Sequence, residues 1–313
     1  MYGRANDGAG PTDGAVSLSP SQRRLWFYHR LFPEARQASV IGESLAGPID
    51  VVALRTAFGA VIRRHESLRW RFPECLGQPY VEVDPPGEAE LPVDELGHDC
   101  ADVDSAADTA IAAELRAEVQ RPFDLARGPL LRVRLLRLHA SSHVLVLAVH
   151  PMVCDVTSLA LVWRDLGVAY SQVRAGVAPL RGSPATGYAD YLVWLARRQA
   201  ERSVVDPGGW GARLAGVPGV VDLPRDYARP PVQTHRAAEV VRSVPEDVVA
   251  AVRRSATDLG VAPGVLLLAA FSVLLQRLTG HTDLVVGVAT VDRRCPEFEC
   301  SRWACSPWCT FPT

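Results

Sequence analysis

The 313-residue chain contains no lysine: every one of its 33 basic residues is arginine. Arginine in such numbers can signal phosphate recognition, but here it is scattered and accompanied by abundant Ala, Gly, Pro and Val, the mark of GC-rich coding. A surplus of either charge is also missing. The 35 acidic residues leave a net charge of −2, which gives no reason to propose nucleic acid or an anionic membrane as partner. No apolar run approaches the ~18 residues needed to span a bilayer, and the opening MYGRANDGAGPTDGAV lacks the apolar stretch of a secretory signal. These absences point to a cytoplasmic protein, expected to be a monomer. Paired CxxC spacing is absent too. Of seven cysteines, Cys75, Cys100 and Cys154 are dispersed and read as thiols in a reducing compartment. Cys295, Cys300, Cys305 and Cys309 crowd the end at spacings unlike a zinc knuckle, so no metal site is assigned.

What is present supports a sizeable core: 48% hydrophobic and 22% charged residues, in a length that suits two domains. The organising stretch is His143–Tyr170. An apolar run, Val144 to Val149, ends on His150. A Pro-bearing connection leads to Asp155, and Thr157 and Ser158 open a helical pattern carrying Leu161, Val162, Asp165 and Leu166. A strand end feeding a helix start exposes its loop at a sheet edge while rigid elements hold it, a favoured position for chemistry in α/β folds. His150 and Asp155 are the first candidates.

Elsewhere, residues 1–16 are small and polar and expected to be disordered. Ser19, Pro20 and Gln22 form a capping box that starts a helix. Asp50 caps a second helix, with Leu54, Phe58, Val61 and Ile62 at helical spacing. It runs into Arg63-Arg64-His65-Glu66, which alone reads as a solvated helix end, and then Leu68, Trp70 and Phe72 alternate as in a half-buried strand. Residues 73–104 read as loops around a short strand near Tyr80–Val83, and Ala106–Val119 as a helix. Leu131, Val133 and Leu135 pair with the central apolar run as a hairpin turning at Ala140–Ser142. Tyr188–Trp194 opens a further helix of packing rings. Residues 203–236 are rich in Pro and Gly and form a boundary. Beyond lie a strand near Ala238–Val244, a helix after Pro245, an apolar helix Pro263–Leu278 and a strand Asp283–Thr290.

These stretches resemble one family in their order. HPMVCDV, from His150 to Val156, is similar to the HHxxxDG signature of nonribosomal peptide synthetase condensation domains and the wider group that includes chloramphenicol acetyltransferase. His150 matches the first histidine and Asp155 the aspartate. Pro151 stands where the family has its second histidine, credited with positioning or deprotonating the attacking amine, and Val156 where it has glycine. SPSQRRLWFYHRL resembles SxAQxRLWFL, and RHESLRWRF resembles RHExLRTxF with Trp70 for threonine. FDL at 123–125 with GPL at 128–130 resembles FDLxxGPLxR. The Tyr188–Trp194 stretch resembles YxDYxxW, and LPRDYARPPVQTHRAA a crossover between two lobes. VAPGVLLLAAFSVLLQRLTGHTDLVVGVATVDRR ends near the family's ANR signature at Asp292-Arg293.

The resemblance implies an α/β, two-lobed chloramphenicol acetyltransferase-like fold of mixed sheets with flanking helices. It places an N-terminal lobe at 17–202, a crossover at 203–236 and a partial second lobe at 237–299. Residues 300–313 fall outside it, as a truncated or frameshifted tail that leaves the second lobe incomplete, so weak activity and aggregation are expected. It implies amide or ester formation between an acyl or peptidyl thioester on the phosphopantetheine arm of a carrier protein and an amine or hydroxyl, with no bound cofactor. Adenylation or tailoring enzymes are further partners. His150 is the matching catalytic candidate, Asp155 braces the loop, and Arg64 or Arg293 is its expected ion-pair partner. Pro151 carries no titratable group, so the copy is expected to be impaired. The alternatives are a non-catalytic recruitment module or remnant, and a free-standing coenzyme A-dependent acyltransferase.

Overall fold

The structure is a computed structural model that describes residues 17–96 except 34 and 36, 103–182, 187–202, 211–234 except 213 and 218, 240–289 and 308–312. Contacts divide the chain after Arg202 into two compact units.

The first unit is built on one mixed sheet. Helix α1 (Pro20–Leu31) begins at the capping box: Gln22 N–H donates to Ser19 Oγ, and Ser19 N–H to Gln22 Oε1. Strand β1 (Ser39–Ala46) follows, then α2 (Val51–Arg64), whose cap Asp50 accepts from Ala53 N–H. Four two-residue strands come next: β2 (Trp70–Arg71), β3 (Glu74–Cys75), β4 (Gln78–Pro79) and β5 (Glu82–Val83). Then come β6 (Val93–Glu95), α3 (Val103–Gln120), β7 (Leu131–His139), β8 (Ser142–Val149), α4 (Val156–Arg174) and α5 (Tyr188–Arg202). The main sheet runs β1-β8-β7-β6. β8 is antiparallel to β1 and β7, whereas β6 is parallel to β7.

Because β8 has a neighbour on each side, its backbone groups are all satisfied within the sheet and both faces can be covered, which is why it reads as an unbroken apolar run. Leu145, Leu147 and Val149 join a core with Phe58 and Val61 of α2 and Leu159 and Val162 of α4. Val144 and Val146 point the other way, towards Ile111 and Leu115 of α3. Gly42 of β1 makes room for that layer: a Cβ there would lie 3.1 Å from Leu115 Cδ2.

The strand expected over Leu68–Phe72 is instead a 3-10 turn, Glu66–Arg69, followed by only two strand residues. The alternation was real, since Leu68, Trp70 and Phe72 are all buried, but the backbone turns at His65 before it pairs. Trp70 packs on Tyr188, whose ring stacks on Tyr191, so the aromatic motif of α5 is core.

In the second unit, helices Glu246–Asp258 and Pro263–Thr279 are joined by a short turn, the latter closed by Gly280 at φ 74°. Strand β9 (Val285–Ala289) pairs antiparallel with β10 (Trp308–Pro312). The strand expected at Ala238–Val244 is not formed over Val240–Val244. That segment is irregular, with Val240 80% exposed, because no described strand pairs with it. The N-terminal stretch expected to be disordered, the start of the crossover, Arg293 and Cys295–Cys305 lie outside the described residues. No single described helix is long and apolar enough to cross a membrane.

Candidate functional site

The loop from β8 to α4 begins where the central strand leaves the sheet. His150 N–H still pairs with Leu130 O, the residue just before β7, at 2.9 Å, so the residue is anchored before the chain turns. Val153 N–H then donates to His150 O at 3.1 Å, closing a four-residue turn with Pro151 second. Proline suits that position because its ring presets φ. The turn carries Met152, Val153 and Cys154 into the core, each no more than 2% exposed.

Asp155 is the N-cap of α4. Its Oδ1 accepts from Ser158 N–H at 2.6 Å, and Oδ2 is buried. A carboxylate there satisfies a terminal N–H and faces the positive end of the helix dipole.

Two further contacts hold the loop. Gln22, fully buried, uses Oε1 in the capping box while Nε2 donates to Met152 O at 2.8 Å. The amide thus ties the start of α1 to the middle of the loop. His150, 1% exposed, accepts Met152 N–H at Nδ1, 3.2 Å away. That contact puts the proton of the neutral ring on Nε2. Burial, and secondarily nearby His29, lower its pKa from 6.5 to about 3. His29 and Phe123 stand edge-on to the ring at 6.0 and 5.8 Å. Arg132, ion-paired to buried Glu118, lies 3.8 Å over the face of Phe123.

Arg64, expected against Asp155, is engaged elsewhere. Its Nε lies 3.3 Å from Asp165 Oδ2, ten residues further along, and Nη1 donates to Gly182 O. Asp165, 3% exposed, also meets His65 Nε2 at 2.9 Å and Arg164 Nη2 at 2.9 Å. This cluster clamps the end of α2 to the middle of α4. The RHE motif signalled a brace, but the residue braced is the helix body. Asp165 stood in the helical pattern with nothing to mark it as the partner. Phe123 and Arg132 were likewise legible only as packing and alternation.

The sequence profile of the Condensation domain matches residues 12–302. The chain is 37% identical to the phosphinothricin tripeptide synthetase PhsC of Streptomyces viridochromogenes over 92% of its own length and 26% of that protein's. It is 32% identical to the chondramide synthase cmdD of Chondromyces crocatus, over 92% of this chain and 7% of that one. It therefore spans about a quarter or less of these relatives. Among solved structures, the X-domain from teicoplanin biosynthesis superposes with a TM-score of 0.82 at 28% identity, over 97% of this chain and 67% of that chain. The first condensation domain of the CDA synthetase shares the fold, with a TM-score of 0.74 at 23% identity over 96% and 71%. The α/β, chloramphenicol acetyltransferase-like fold expected from the motifs is thus the fold observed, and the chain belongs to the condensation-domain family.

Proposed function

We propose that the chain is a condensation-type module of nonribosomal peptide assembly, working in the cytoplasm on thioesters carried by phosphopantetheine arms of carrier domains, with impaired bond-forming activity. The family reaction joins an activated thioester to an amine or hydroxyl, so the protein has to align two groups and manage one proton. The observation that carries the reading of impairment lies in the β8–α4 loop. Pro151 fills the position next to His150 and has nothing to accept a proton. His150 itself uses Nδ1 on Met152 N–H and presents a protonated Nε2, which donates and cannot act as a base. What remains is alignment. Arg64 is read as bracing α4 through Asp165, and Arg293 as a partner for Asp155.

A second reading, recruitment without bond formation, is supported by the likeness to the teicoplanin X-domain, also solved as a complex with OxyB. Tailoring enzymes would then be the partners. Single-turnover transfer between loaded carrier proteins separates the two. Slow product formation that Pro151→His raises by about 10²-fold, the low end of general-base effects, supports an impaired condensation module. Binding of carriers or a tailoring enzyme without product in either form supports recruitment. Turnover of soluble coenzyme A thioesters with no carrier refutes both.

A further inference from the structure

We infer that the pocket against His150 binds a single hydrogen-bond-acceptor oxygen, from the carbonyl of an acyl or amide group or from a carboxylate. The pocket is lined by His29, Ala35, Gln37, Arg121, Phe123 and His150 among others, with an interior of about 10 Å³. That volume suits one oxygen-sized group.

Among the described residues its side-chain chemistry is weighted towards donors. His150 Nε2, on a side chain 1% exposed, is buried and without a hydrogen-bond partner among the described residues. Since Nδ1 accepts from Met152, Nε2 bears the proton and requires an acceptor. Gln37 Nε2 is a second buried donor in the same condition. Arg121 adds a cation at the rim, its Nη1 3.9 Å from Glu118 Oε2. No lining residue among those described carries a carboxylate. Two buried donors left unsatisfied cost stability, and a ligand oxygen placed between them removes that cost. His29 and Phe123, edge-on to the imidazole, hold its plane towards the pocket. In this arrangement the histidine acts as a hydrogen-bond donor to substrate. The inference rests on the tautomer and the pocket lining, so it stands or falls apart from whether the chain forms bonds.

The test is magnetic resonance of the full chain labelled with 15N-histidine, titrated with sodium acetate and separately with acetamide at constant ionic strength. The His150 signal is identified through its contact with the Phe123 ring. The expected result is an Nε2–H tautomer whose Nε2 and Hε2 shifts move saturably with at least one probe, with affinity falling about fivefold in Gln37→Leu, the scale of one hydrogen bond. Response to acetate alone assigns a carboxylate, to acetamide alone a neutral carbonyl, and to both an undiscriminating acceptor site. An absent response to both probes in the unmutated chain overturns the inference, as does a response unchanged in Gln37→Leu or an Hε2 proton that exchanges only with water.

Discussion

Helix α4 of the first unit and helix Pro263–Thr279 of the second are both long and apolar, and they end in different states. α4 buries Leu159, Val162 and Leu166 to 3% exposure or less. Pro263–Thr279 buries no residue, and Val265, Leu267, Phe271 and Leu274 remain about half exposed. Composition supplies the drive to leave water, worth roughly 1.5–3 kcal/mol for a fully buried Leu or Phe. A partner surface is needed to realise it. α4 meets α2 and β8, contributed by distant stretches of chain. Among the described residues of the second unit, the Pro263–Thr279 helix packs on Glu246–Asp258 and buries none of its own side chains. An apolar periodic segment therefore states a requirement, and the tertiary neighbourhood decides whether it is met.

The largest test of that contrast uses pH. His150 titrates near 6.5 when unfolded and at about 3 in the first unit. Between those values the unfolded state binds more protons, so stability is full above pH 6.5, falls as pH drops, and levels off near 3. At 1.36 kcal/mol per unit the loss reaches roughly 5 kcal/mol. Chemical denaturation of the chain at pH 7 and pH 4 should show roughly 3 kcal/mol of that loss in the transition of the first unit, and His150→Asn should flatten the profile. A slope unaltered in that variant would mean another group governs acid sensitivity.

Truncations set the two helical environments side by side. Phe58→Ala, in the packed core at 1% exposure, should cost about 3–5 kcal/mol in urea unfolding. Phe271→Ala, at 47% exposure, should cost less than about 1 kcal/mol. Equal losses would show that the second helix is covered in solution. Asp165→Asn removes the carboxylate that neutralises Arg64 beside His65, and a destabilisation of roughly 3 kcal/mol is expected, the low end for breaking a buried pair. A change under about 0.5 kcal/mol, on the order seen for surface pairs, would reduce the cluster to a surface contact.

The smallest effect, about 1–2 kcal/mol, is expected for Gln22→Ala, which removes the hydrogen bond from Gln22 Nε2 to Met152 O. Hydrogen exchange should localise the loosening to the β8–α4 loop and the first turn of α1. Exchange that rises only within α1 would show that the tie to the loop carries no energy.

Much of the first unit was legible in advance. The hairpin, α2 and α4 announced themselves through apolar period and caps, because Asp50 and Asp155 do their capping within three residues. β1 has no clear local signature: SVIGESLA is half exposed, and its Gly42 makes sense only with α3 packed against it. The site was legible in position and not in wiring. His150 and Asp155 lie on one short loop, so adjacency alone brought them together. Arg64 pairs with Asp165 and not with Asp155, since helical spacing cannot say which turn of α4 faces α2. Gln22 announces itself as a cap, and its second bond, to a carbonyl 130 residues away, has no local signature.

By itself, then, the sequence determined the order of elements, the capping of α1, α2 and α4, and the family, all of which are carried by patterns spanning a few residues. The tertiary structure alone decided the tautomer and acidity of His150, the pairing of Arg64 with Asp165, and which apolar helix is covered. Those depend on burial and on groups brought together from far along the chain, and neither desolvation nor a distant partner is written in local periodicity.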